Sequence, residues 1–168
     1  MVADGTWSID AARSRIGFVA SHVFGLGRVT GSFSDFSGQI TTLAGAIASA
    51  QVTIGTDSIS TGNDRRDADL RSPAFLDVES HAEISYATTE VEHEGDGRYR
   101  IVGTLTARGT SAEVPLNAKL VDASDGALRA RALATFNRRA LGITPGAKSL
   151  VVGRLVGVEI EVLAARGE

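Results

Sequence analysis

The chain has 168 residues, of which 43% are hydrophobic and 22% charged, the proportions of one globular domain and not of a disordered tail or a membrane-embedded protein. A formal net charge of -3 leaves no basic excess to neutralise phosphates, which argues against nucleic acid as a partner. The absence of cysteine removes disulfides, thiolate metal sites and cysteine nucleophiles together.

In chain order, the dominant period is two, the mark of strands half buried on one face. Arg15 to His22 is the first long run, with Ile16, Phe18, Ala20 and His22 on one side and Arg15, Gly17, Val19 and Ser21 on the other. Val29 to Phe36 and Gln39 to Thr42 follow, with Gly31 read as a bend and Ser37-Gly38 as the turn of a hairpin joining them. Ser49 to Thr56 places Ala50, Val52 and Ile54 on one face. Asn63 to Leu76 breaks the alternation: Asp64 to Arg71 is charged, lacks β-branched residues and is stopped by Pro73, which predicts a short helix. His81 to Val91 returns to strand pattern with Ile84 and Tyr86 on one face, and Glu94-Gly95-Asp96-Gly97 is a strong turn signal that pairs it with Arg98 to Ala107. Beyond the turn at Arg108-Gly109-Thr110, Val114, Leu116, Ala118 and Leu120 alternate with Glu113, Asn117 and Lys119. Asp122 to Gly126 turns the chain into Leu128 to Phe136, and the last run, Leu150 to Leu163, sets Val152, Val156, Val158, Ile160 and Val162 against Gly153, Glu159 and Glu161.

About eight or nine antiparallel strands at regular spacing, without repeats or long linkers, predict an all-β domain over residues 1–168, either a sandwich or a barrel. Closure into a barrel would remove the exposed edges. A barrel of about eight strands is filled by its own side chains or holds one small ligand. Nineteen glycines and 5% aromatics favour small inward residues, and with them a cavity.

The chemistry-bearing residues are sparse. His22, His81 and His93 show no metal-ligand spacing. His81-Ala82-Glu83 imitates half of a zinc deaminase motif whose other half needs cysteines. Gly142 to Ser149 lacks the second glycine of a phosphate loop, Gly25-Leu26-Gly27 has no helix to follow it, and no nucleophile elbow occurs. His22 ends a strand of apolar inward residues and is read either as satisfied by a backbone carbonyl or as touching a ligand. The Asp64 to Arg71 charges read as an anion or catalytic site, or as a solvated face whose charges pair with one another. Met1 to Trp7 carries Asp4 and no apolar h-region, and no stretch is long enough to span a bilayer. The chain as written is therefore expected to be cytoplasmic, or periplasmic or secreted if a leader was removed.

Several segments, in order, resemble one known family. Thr6-Trp7-Ser8-Ile9-Asp10 with Ser14, Ile16, Phe18 and His22 is similar to its opening strand, and Gly31-Ser32-Phe33-Ser34-Asp35-Phe36-Ser37-Gly38 to its second block. The most specific piece is Ser58-Ile59-Ser60-Thr61-Gly62-Asn63 with Arg65-Arg66-Asp67, Leu70-Arg71-Ser72 and Phe75-Leu76-Asp77. Val102-Gly103-Thr104-Leu105-Thr106, Arg108-Gly109 and Val114-Pro115-Leu116 complete the likeness. Together these resemble the YceI-like family, bacterial lipocalin-like proteins that bind polyisoprenoids. The chain departs from the family pattern at His81-Ala82, where an aromatic-proline pair is usual, and at Ala140-Leu141-Gly142, where Asp-Phe-Gly is usual.

The resemblance implies an elongated, antiparallel, eight-stranded barrel with an apolar pocket and brings no catalytic residues with it; no metal or cofactor is expected. On its matched strands Ile16, Phe18, Phe33, Val52, Ile54, Ile84, Tyr86 and Leu105 are the expected walls, and His22, Tyr86, Arg65 and Arg71 the expected donors to a polar head group, with Asp67 orienting an arginine. The expected function is non-covalent binding, storage or transport of a long-chain amphiphile such as an isoprenoid quinone or polyprenyl lipid, without stable membrane insertion and with room for a homodimer. Two alternatives stand beside it: sequestration of amphiphilic small molecules under stress, and acid-base chemistry on a small hydrophobic substrate by His22 with Asp67 or Arg71.

Overall fold

The computed structural model describes residues 2–21, 27–124, 126–144 and 153–167 of the chain. Alternating segments form strands β1 (Gly5–Ile9), β2 (Arg15–Ser21), β3 (Arg28–Phe33), β4 (Phe36–Leu43), β5 (Ala46–Gly55), β6 (Ile59–Ser60), β7 (Glu83–Gly95), β8 (Arg98–Ala107), β9 (Thr110–Ser124), β10 (Ala127–Asn137) and β11 (Leu155–Arg166). Helix α1 (Asp64–Arg71) interrupts them where the period breaks, with Asn63 accepting from the Arg66 amide as its N-cap.

The strands join antiparallel in the order β1-β4-β5-β7-β8-β9-β10-β11, and β11 returns to β1 through Trp7 opposite Arg166 and Ile9 opposite Ala164. β11 continues along β2, β2 along β3, and β3 along β6. Three staves of the barrel are thus kinked strands, β1 with β2, β3 with β4 and β5 with β6, and the other five are unbroken. The result is a closed antiparallel barrel of eight staves, with α1 the helix found among the described residues.

The kinks lie side by side. In the first stave Asp10 caps a single 3-10 turn, accepting from Ala12 N at 3.0 Å; in the second the chain bends at Ser34 and Asp35; in the third Thr56–Ser58 form another 3-10 turn. Gly55 N donates to Asp35 O at 2.8 Å, tying the last two bends together.

This arrangement corrects the hairpin expected at Ser37-Gly38. β3 and β4 run in the same direction as one bent stave, and the hairpin is β4–β5, turning at Ala44-Gly45. Gly38 lies within β4 because a side chain there would strike Gln51 O of β5, and Gly31 lies within β3 beneath the Phe18 ring. Both glycines mark close approach inside a sheet, which looks the same as a turn in sequence. Of the remaining expected features, Gly25-Leu26, Asp125, most of Gly142 to Ser149, and Leu150 to Val152 lie outside the described residues.

Two buried clusters occupy the ends. At the end of the short β4–β5 and β7–β8 turns, Trp7, Ile40, Ile47, Tyr99, Leu128 and Ala164 pack together, with Leu128 and Ala164 fully buried (0% exposed). Trp7 Nε1 donates to Thr42 Oγ1 at 2.9 Å, and Thr42 Oγ1 to Ala3 O at 2.7 Å, so the polar atoms of this plug are satisfied. At the opposite end α1 and the segment after it cover the staves, with Leu70, Phe75, Leu76, Leu141 and Ile143 buried beneath.

Candidate ligand-binding cavity

Between the clusters the lumen is hollow. The cavity is about 260 Å³, with an apolar wall drawn from every stave and from the cap. This exceeds the roughly 150 Å³ at which an apolar cavity stays dry and accepts a benzene, and approaches the roughly 300–1,000 Å³ of ligand pockets.

Ile16, Phe18, Phe33, Val52, Ile54, Ile84, Tyr86 and Leu105, named above from the sequence, all stand on this wall. Strand alternation brings them there: Phe18 is opposite Gly31, Val52 opposite Tyr86, Ile54 opposite Ile84 and Tyr86 opposite Leu105, so each pair faces the same side of the sheet. The Phe18 and Phe33 rings lie 5.7 Å apart in a tilted pair. The space itself comes from alanines: Ala50, Ala118, Ala130, Ala132 and Ala134 line the wall, with Ala118 opposite Ala132 across β9 and β10. Ala50 and Ala118 stand on faces that alternation already marks as apolar, whereas Ala130, Ala132 and Ala134 carry no such mark beyond their alternation with Arg129, Arg131 and Leu133.

Of the polar residues at the wall, Arg131 sends its side chain outward toward Glu161, with Nε 3.8 Å from Oε1, and Tyr86, Thr88 and Arg138 are turned to the protein itself. Tyr86 Oη donates to Val114 O at 2.8 Å, and burial pushes the phenol pKa up to about 12, so it stays neutral. Thr88 Oγ1 accepts from Ala50 N at 3.1 Å. Arg138, 4% exposed, donates through Nε to Gly153 O at 3.1 Å and through Nη1 to Ile143 O at 2.6 Å. Burial, with Arg139 and Arg154 nearby, lowers its pKa, yet a guanidinium remains charged. Its bonds clasp the residues flanking 144–152, a bracing role that the sequence does not announce.

The head-group positions expected at Arg65 and Arg71 are not on the wall. Arg65 is exposed, and Arg71 turns away from the lumen, donating through Nη2 to Ile59 O at 2.8 Å and through Nε to Asp57 O at 3.1 Å. Asp67 is buried and accepts from Thr61 N at 2.9 Å and Thr61 Oγ1 at 2.5 Å, and Arg66 Nε donates to the same hydroxyl at 2.8 Å. The charged cluster therefore fastens α1 to the strand before it, through bonds with residues 57–61. Backbone carbonyls freed where β5 kinks into β6 are fixed partners at short range, which a neighbouring flexible side chain is not. Arg108 serves the cap from the far side, donating through Nη1 to Pro73 O at 2.5 Å and Phe75 O at 2.7 Å.

His22 lies outside the described residues. Asp67 and Arg71, its expected partners in acid-base chemistry, are engaged as above and do not line the cavity. Among the described residues the wall carries no carboxylate, histidine or serine. What this surface can do is surround hydrocarbon.

Comparison with known proteins places the chain among relatives of the same build. The pattern of a YceI-like domain fits residues 7–164. A UPF0312 protein of Pectobacterium carotovorum is 39% identical over 97 residues, covering 56% of this chain and 50% of that protein. One from Shewanella baltica is 34% identical over 121 residues, covering 71% and 63%. The chain thus spans about half to just under two thirds of the length of these curated relatives. Among solved structures, Burkholderia cenocepacia BcnA superposes with a TM-score of 0.85 at 19% identity, covering 94% of this chain and 99% of that one. A polyisoprenoid binding domain from Saccharophagus degradans gives 0.77 at 19% identity, covering 96% and 98%. At such identities the structural likeness is one of fold.

Proposed function

The chain belongs to the YceI-like family, and on that premise we propose that its barrel binds a long-chain amphiphile non-covalently, a polyisoprenoid or isoprenoid quinone, for storage or transport and not for chemical conversion. The observation that carries the reading is the hollow, apolar lumen of about 260 Å³. Each methylene moved from water into such a wall contributes about 0.8 kcal/mol, so a few isoprene units supply ample drive when the cavity is preformed. Ile16, Phe18, Phe33, Val52, Ile54, Ile84, Tyr86 and Leu105 are the proposed contacts to the hydrocarbon. The solved domain from Saccharophagus degradans, described as polyisoprenoid binding, shares this architecture and supports that choice of ligand class.

Native mass spectrometry of the purified protein, followed by solvent extraction, tests the proposal. A long-chain lipid should co-purify and be displaced by added polyprenol. A protein that is empty on isolation and takes up no polyprenol would sink it.

A further inference from the structure

Aromatic side chains take up part of the lumen, and the way two of them lie depends on glycine. Tyr86, on β7, extends across β8 to reach Val114 O on β9 at 2.8 Å, and the strand it crosses carries Gly103, whose cross-strand partner is Val114. A Cβ at Gly103 would stand 2.5 Å from Tyr86 Oη and 2.7 Å from Cε1, with Cζ nearer still. Heavy atoms settle at about 3.5–4.0 Å, so the ring would have to retreat by roughly 1 Å. With the sheet behind it, the free direction is into the lumen. Gly103 is buried, and its backbone is not in the positive-φ region, so a role in turning the chain does not explain the glycine. Phe18 repeats the arrangement: it faces Gly31 across β2 and β3, and a Cβ there would stand 2.8 Å from Phe18 Cε1.

We infer that Gly103 is a specificity-determining position: by letting the Tyr86 ring lie flat across β8, it keeps the bore wide enough for a methyl-branched chain. The inference rests on the reading of the lumen as a lipid site. Gly31 is the less clean place to test it, because an added carbon there also strikes Ser60 O at 2.7 Å.

The experiment is calorimetric titration of the full chain with farnesol and with dodecanol, alcohols whose main chains have equal length and which differ in farnesol's three methyl branches and three double bonds, with saturated 3,7,11-trimethyldodecanol as the control that isolates the branches. Gly103→Ala should weaken farnesol roughly tenfold while dodecanol changes little, the scale on which pockets discriminate single carbon groups. Adding Tyr86→Val to Gly103→Ala should restore farnesol binding by removing the displaced ring. Tyr86→Phe, which leaves the backbone untouched and releases the tether to Val114 O, should shift the ratio in the same direction by less, and it keeps the test available if Gly103→Ala fails to fold. Equal losses for both alcohols, or an unchanged ratio in these variants, would overturn the inference while leaving the lipid site standing. A wild-type protein that binds neither alcohol nor polyprenol would remove the lipid site itself.

Discussion

Tyr86 shows how much one side chain can carry in a wall made mostly of hydrocarbon. Its place on an inward face was legible from alternation with Ile84, but its hydroxyl, expected to meet a ligand head group, is turned to Val114 O. Because burial raises the folded-state pKa to about 12 from the ordinary 10.0, the unfolded chain releases its proton first as pH rises. The unfolded state then binds fewer protons, so stability falls between those two values and levels above them. Urea midpoints compared at about pH 9 and about pH 11 should drop more for the wild type than for Tyr86→Phe, which has no proton to lose. Equal drops would show that the Tyr86 phenol ionises as freely folded as unfolded. Arg65 and Arg71 were named for the same head-group role, and residue type alone could not tell a mouth-lining arginine from one spent on the carbonyls of Asp57 and Ile59.

Among elements, α1 is the clearest case of a helix legible in sequence whose purpose was not. Its charges and the proline after it marked its existence and its end. That it is a fastener follows only from the path of the chain beside it, where Thr61 bridges Asp67 and Arg66. Asp67→Ala would leave the partly buried Thr61 amide without its charged acceptor, a loss of about 1–3 kcal/mol. Chemical denaturation should register that loss, and hydrogen exchange should place it at Thr61 and the first turn of α1; unchanged protection there would refute the fastening role. The kinked second stave teaches the complementary lesson. A glycine in a strand signals either a turn or a close approach, and at Gly31 and Gly38 the neighbours that decide between them, Phe18 and Gln51, come from other strands.

For the molecule as a whole, the decisive feature is a closed barrel left unfilled. β11 seals it by pairing with both β10 and the β1–β2 stave, while Leu128 and Ala164 plug one end and α1 with Phe75 and Leu76 covers the other. The middle stays open because β10 offers Ala130, Ala132 and Ala134 where larger residues would interdigitate. Ala132→Leu should fill part of that space, holding or raising the melting temperature, as cavity-filling changes commonly do, while reducing co-purifying lipid. The emission of Trp7, the single tryptophan, reports the fold in the same sample. A variant that retains wild-type lipid at wild-type stability would show that ligand does not occupy this level of the lumen.

The sequence by itself determined the strands, their inward faces, the helix and the family, because period-two alternation, a charged helical stretch and ordered motifs are local properties of the chain. It also held the eight wall residues, since one buried face of a strand is visible without knowing what it faces. Only the tertiary structure decided that β3 and β4 are one stave, that the helix arginines serve the cap, and that alanines and glycines hollow the middle. Those outcomes depend on which strands become neighbours and on the volume their side chains jointly leave, quantities that arise when the sheet closes and that no single segment contains.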